Sequence, residues 1–161
     1  MAANTDALPA HLDLASGWKG KSLVTVEQLT PALLDQLFAL AMKMVELVKT
    51  SGGDDSLKGR VSANCFYEAS TRTACSFAAA MQRLGGSVLT ISSSSSSAKK
   101  GETLSDTIRC LQCYTDAVVL RHPTKGSVPD VASKVPKPVL NAGVGFWRAL
   151  WGRDSFAWHR N

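Results

Sequence analysis

The chain has 161 residues, 45% of them apolar and 19% charged, the size and balance of one soluble domain that can bury a core. Its longest apolar runs, such as residues 38–42, are about five residues, against the roughly 20 of a membrane-spanning helix, and the opening residues lack the basic start and apolar stretch of an export signal, so a cytoplasmic protein with no membrane partner is expected. The net charge of +5 resides beyond Leu120, where seven Lys and Arg meet two Asp, while the first 120 residues carry 11 of each sign; a neutral body without a basic, aromatic-interleaved stripe gives no reason to expect a nucleic-acid partner.

Residues 1–20 show little pattern and read as a lead-in. Thr25-Val26-Glu27-Gln28 has capping-box spacing, and Thr30-Pro31 places a cap before a proline at the first helical position. Leu33, Leu34, Leu37, Phe38, Ala41, Met44, Val45 and Val48 then recur at steps of three and four, an amphipathic helix whose stripe is expected to be core, and Gly52-Gly53 ends it. A strand over residues 60–66 follows, then a helix over 70–84 with Phe77, Ala80, Met81 and Leu84 on one face and Gly85-Gly86 as its exit. Residues 87–92 read as a second strand. Six serines from Ser92 to Ser97, then Ala98-Lys99-Lys100-Gly101, form a loop. A helix is expected over 102–114, a buried strand over 116–120, a short helix over 130–134 and a last strand over 138–141. Strands alternating with helices predict an α/β fold, a parallel sheet of about four strands with helices on both faces.

The four cysteines are Cys65, Cys75, Cys110 and Cys113. The Cys110/Cys113 pair falls inside a helix, where positions i and i+3 are simply neighbours. No second close pair stands near it, and His11, His122 and His159 are scattered, so buried reduced thiols are expected, with no metal and no cofactor.

In such a sheet, ligands bind beyond the carboxyl ends of the strands. Phe66-Tyr67-Glu68-Ala69-Ser70-Thr71-Arg72-Thr73 joins a strand to a helix amino end, which offers free N–H groups and the positive end of the helix dipole. Ser70, Thr71 and Thr73 add hydroxyls, and Arg72 a planar fork suited to phosphate oxygens. Arg121-His122-Pro123 directly follows another strand and can bring a second guanidinium to that rim. Taken alone, the same residues describe a capped helix start with an exposed arginine.

Four blocks give these residues a family likeness. Phe66-x-Glu68-x-Ser70-Thr71-Arg72-Thr73 with Ala80-Met81-x-Arg83-Leu84-Gly85-Gly86, then Lys99-Lys100-Gly101-Glu102-Thr103-Leu104-x-Asp106-Thr107, then Val118-Val119-Leu120-Arg121-His122-Pro123, then Pro138-Val139-Leu140-Asn141-Ala142-Gly143 closely resemble, in order and spacing, the aspartate transcarbamoylase family over residues 20–143. The sequence is most similar to that domain in eukaryotic multifunctional pyrimidine-synthesis proteins. Ornithine transcarbamoylases share Ser-Thr-Arg-Thr, but their loop differs from Lys-Lys-Gly-Glu.

The resemblance implies a carbamoyl-phosphate-binding half. Ser70, Thr71, Arg72 and Thr73 would hold the phosphate, and Thr73 and Arg121 would reach the carbamoyl oxygen. Lys100 and a loop serine would enter a neighbouring subunit's site in a homotrimer. Counting back from Lys100 gives Ser96, though the serine run leaves that register open. Thr73, Arg121 and Lys100 are the implied catalytic groups, and Glu68 would bridge to the second half of the enzyme.

After Gly143 the resemblance breaks. The family continues with Asp-Gly and, shortly after, His-Pro-Thr-Gln, whereas this chain reads Val144-Gly145-Phe146-Trp147-Arg148-Ala149-Leu150, and Trp147, Trp151 and Trp158 crowd its last 15 residues. The family histidine is not assigned to His159. The expected organisation is a carbamoyl-phosphate domain over 1–143 and a divergent tail over 144–161 that replaces the start of the aspartate-binding half and packs on apolar surface. L-Aspartate would be bound only through that missing half, so a truncated chain that binds carbamoyl phosphate without useful turnover is expected. The alternative is a non-catalytic trimer-assembly module.

Overall fold

The computed structural model describes residues 18–92 and 101–143. The expectations for Ser96, Lys100, His159, the tail over 144–161 and most of the lead-in fall outside these residues.

The chain enters through Leu23, which bridges Leu140 in parallel. Thr25 then caps a single 3₁₀ turn, Val26–Gln28, and the Gln28 side chain accepts in return from the Val24 and Thr25 amides at 2.8 and 3.0 Å. Helix α1, Pro31–Ser51, starts where Thr30 Oγ1 accepts from the Leu33 amide and ends on Gly52 in the left-handed region, φ 78°. Four parallel strands follow: β1 (Val61–Phe66), β2 (Ser87–Ser92), β3 (Ala117–Arg121) and β4 (Val139–Asn141). Helices α2 (Thr71–Arg83), α3 (Leu104–Gln112) and α4 (Ser127–Ala132) connect them. The sheet order is β2-β1-β3-β4, so the chain leaves β1 to one side and returns on the other.

Side-chain alternation assigns the two faces. Ala63, Cys65, Val118, Leu120 and Val139 pack with Ile108, Leu111, Val128 and Val131 of α3 and α4 into the larger core. Phe66, Val119 and Ala142 pack with Ala74 and Phe77 of α2 on the other face. The expected architecture is present, with some boundaries moved. The third helix starts at Leu104 because Thr103 caps it, accepting from the Asp106 amide. The fourth starts at Ser127 rather than Asp130. Gly126, at φ 81°, turns the chain into it, and Pro129 lies in the first turn, where the missing N–H has no intrahelical bond to lose.

Two expectations are corrected. The α1 stripe is not all core: Leu33 is buried and Leu34, Leu37 and Met44 are half-buried, but Phe38, Ala41, Val45 and Val48 are exposed. Phe38 and the neighbouring Met42 are 66 and 67% exposed. The apolar positions wrap too far around the helix for one face of packing to cover them all. Nor are the thiols uniformly buried. Only Cys65 is; Cys75, Cys110 and Cys113 are free and exposed, because α3 turns Thr107, Ile108 and Leu111 inward and leaves Cys110 outside.

Candidate functional site

The carboxyl ends of β1 and β3 lie side by side at the point where the strand order reverses, the place where open α/β sheets form their binding crevice. Phe66 and Arg121 are register partners, and the Tyr67 amide donates to the Arg121 carbonyl at 2.9 Å. Ser70, only four residues beyond Phe66, is therefore within ~14 Å of this rim along the chain.

Ser70 is the N-cap residue of α2, yet its side chain makes no capping hydrogen bond, and no other described side chain caps that helix end. The Ser70 hydroxyl donates instead to Thr73 Oγ1 at 2.8 Å. The opening amides of α2 thus keep their donors for an external acceptor, at the positive end of the helix dipole. Thr71 and Arg72 are exposed and Thr73 is half-buried. Ser70, Thr71, Arg72 and Thr73 accordingly share one helix start, with Arg121 on the adjoining strand end.

Arg121 is engaged on several sides. Its Nη2 meets Glu68 Oε1 at 3.0 Å, with the two side chains 23 and 38% exposed. Its Nη1 donates to the Ala142 carbonyl at 3.3 Å. Glu68 Oε2 and Arg121 Nε are buried with no partner among the described residues, so the rim retains both an acceptor and a donor in low-dielectric surroundings. Local reading of the sequence did not bring Glu68 to Arg121, 53 positions away. Nor did it give a role to Ala142 and Gly143, although the Asn-Ala-Gly block flagged that place in the chain.

Beside the rim, the Tyr67 and His122 rings lie 5.4 Å apart. Burial lowers the His122 imidazole below its ordinary value, and its Nδ1 accepts from the Thr124 amide at 3.2 Å, which leaves the proton of the neutral ring on Nε2. Burial pushes the Cys65 thiol up to about 12, so it has no nucleophilic character at neutral pH. Among the described residues, no three His, Cys, Asp or Glu side chains gather as metal ligands, and no helix is long and apolar enough to cross a membrane. An open groove of about 580 Å³ at the other end of the sheet is lined in part by Asp54, Asp55 and Arg83. These groups are engaged: Asp54 Oδ1 accepts from Ser56, Asp55 pairs with Lys58, and Arg83 Nη1 donates to the Gly52 carbonyl.

Comparison with known proteins gives this arrangement its family. The chain is 54% identical over 126 residues to the multifunctional protein pyr1-3 of Dictyostelium discoideum, covering 78% of this chain and 6% of that one. It is 45% identical over 128 residues to the aspartate carbamoyltransferase catalytic subunit of Thermoplasma acidophilum, covering 79% and 42%. Among solved structures, aspartate transcarbamoylase from Trypanosoma cruzi in complex with carbamoyl phosphate superposes with a TM-score of 0.74 at 43% identity, covering 78% of this chain and 41% of that one. The chain therefore spans about two-fifths of its single-function relatives and a small fraction of the multifunctional ones. Residues 21–147 match the family described as aspartate/ornithine carbamoyltransferase, carbamoyl-P binding domain, and with these relatives and this fold the chain belongs to that family.

Proposed function

We propose that this chain is the carbamoyl-phosphate half of a cytoplasmic aspartate carbamoyltransferase, with a domain over 1–143 that binds carbamoyl phosphate and leaves the transfer step to a second half. The uncapped start of α2 beside Arg121 carries this reading. The phosphate sits on the α2 amides, with the hydroxyls of Ser70, Thr71 and Thr73 and the Arg72 guanidinium around it. Thr73 and Arg121 point donors at the carbamoyl oxygen. As the aspartate amine attacks the carbamoyl carbon, negative charge grows on that oxygen and on the departing phosphate, and fixed donors there lower the barrier electrostatically. The family likeness supports a homotrimer in which Lys100 and a loop serine, Ser96 by counting back from Lys100, serve the site of a neighbouring subunit.

Magnitudes separate binding from turnover. Each charge-assisted hydrogen bond to the phosphate is worth roughly 1.5–3 kcal/mol, so the first half binds alone. Holding the second reactant in place supplies roughly 7–11 kcal/mol of barrier reduction, and residues 144–161 lack the His-Pro-Thr-Gln segment that opens the family's second half. Residues 1–143 therefore carry the binding of carbamoyl phosphate, and turnover depends on a second half that holds aspartate. Calorimetric unfolding with increasing carbamoyl phosphate, for the chain and for Arg72→Ala, tests this: a saturable rise in Tm that the variant loses is expected. No rise at millimolar ligand refutes it and leaves the assembly module as the better reading.

A further inference from the structure

We infer that Gly143 is the seat that sets the aim of Arg121: the guanidinium occupies the space a side chain at 143 would fill. The inference rests on the proposed role of Arg121 at the carbamoyl oxygen and names the residue that positions it. A Cβ built on Gly143 would lie 2.6 Å from Arg121 Nη1, closer than Cβ atoms come to a neighbour, and 3.2 Å from Cζ, tighter than most such contacts, so one of the two must shift.

Which partner would yield is decided by what holds each. The Gly143 amide donates to Asn141 Oδ1 at 3.0 Å. Asn141 in turn donates to the Leu23 carbonyl through its backbone at 2.9 Å and to the Val24 carbonyl through Nδ2 at 2.8 Å. The backbone at 143 is thus tied through β4 to the incoming chain. The guanidinium is held by Glu68 and the Ala142 carbonyl but is the far end of a flexible side chain, so it yields before the backbone does and it is Arg121 that moves. A methyl at 143 pushes Nη1 away from the Ala142 carbonyl, and the planar fork carries Nη2 and Nε with it. Gly143 therefore acts through Arg121 as a positioning residue.

Gly143 also has φ +119°, which an L-side chain strains, so the test must separate strain from displacement. The intact chain is titrated calorimetrically with two probes: phosphonoacetamide, which has both phosphonate and amide oxygen, and methylphosphonate, which has only the first. In Gly143→Ala, the preference for phosphonoacetamide is expected to fall about 10- to 100-fold, the worth of one charged hydrogen bond, while methylphosphonate affinity stays within about twofold of the parent. Arg121→Met loses the same preference, and Arg121→Met/Gly143→Ala loses no more than Arg121→Met, because the clash is gone. If Gly143→Ala fails to fold, the Met background restores folding. An unchanged preference in Gly143→Ala, a further loss in the double variant, or misfolding that the Met background does not relieve each overturns the seat. Arg72→Ala marks the underlying reading separately: it weakens both probes if the phosphate site exists. If it weakens neither, that reading falls and the seat with it.

Discussion

Replacing Glu68 by Gln should make the protein less stable and a better binder at the same time. The carboxylate holds Arg121 across a 3.0 Å ion pair, and in the proposed complex the seated guanidinium divides its donors between Glu68 and the carbamoyl oxygen. Ligand and Glu68 therefore compete for one group, and the carboxylate also repels the incoming dianion. A buried charged hydrogen bond contributes about 1.5–3 kcal/mol and an exposed pair about 0–1; partial exposure of both side chains places this pair near 1 kcal/mol. Glutamine keeps the shape and one acceptor but removes the charge. The expected result is a stability loss of about 1 kcal/mol, seen as a Tm lower by about 4 °C, together with a 5- to 10-fold gain in phosphonoacetamide affinity. Calorimetric titration at low salt reads the affinity, and thermal unfolding monitored by circular dichroism reads the stability. Lost stability with unchanged or weakened affinity would show that the pair supports the rim without competing for it.

Three further outcomes follow from the packing and titration of the fold. Ile108→Ala, at a fully buried position between α3 and the sheet, should cost about 2–5 kcal/mol in urea unfolding, whereas Phe38→Ala on the open side of α1 should stay within about 0.5. Asp116 is raised by burial, but the Val61 amide and Arg60 outweigh that and hold its carboxyl below its ordinary value. Because the unfolded chain then takes up the proton first, this stabilisation is complete above about pH 4 and fades as pH falls through the folded value. Asp116→Ala should accordingly cost about 1 kcal/mol at pH 7 and less at pH 3 in paired denaturation curves. Under native conditions, iodoacetamide should modify Cys75, Cys110 and Cys113 and spare Cys65 until the chain unfolds, as peptide mass mapping would show; early labelling of Cys65 would contradict its burial.

What could be read along the chain was what neighbours decide. Thr25 with Gln28, and Thr30 with Pro31, are contacts across three residues, and both caps form where the sequence places them. The parallel sheet is legible because short apolar runs, buried on both faces, alternate with stretches of helical periodicity. Periodicity reports how wide an apolar stripe is and not what covers it, so it does not distinguish the outer side of α1 from core. The short helix before β4 starts three residues earlier than expected, because Gly126 makes the turn into it without a capping side chain. At the candidate site, the helix start over 70–73 was visible as a local motif. The state of Arg121 was not: its partners Glu68 and Gly143 lie 53 and 22 positions away, and the sheet register brings all three together.

The open stripe on α1 has a practical consequence in the laboratory. Phe38, Met42, Val45 and Val48 present apolar surface along ~15 Å of one helix while the protein is folded. Solvatochromic dyes, which brighten on such surface, will bind the native chain and start each melting curve from a high baseline. A fluorescence trace that hardly rises on heating would then report an already stained protein. Column matrices and micelle-forming detergents will find the same strip, so retention times will read as a larger particle or a later elution than the mass dictates.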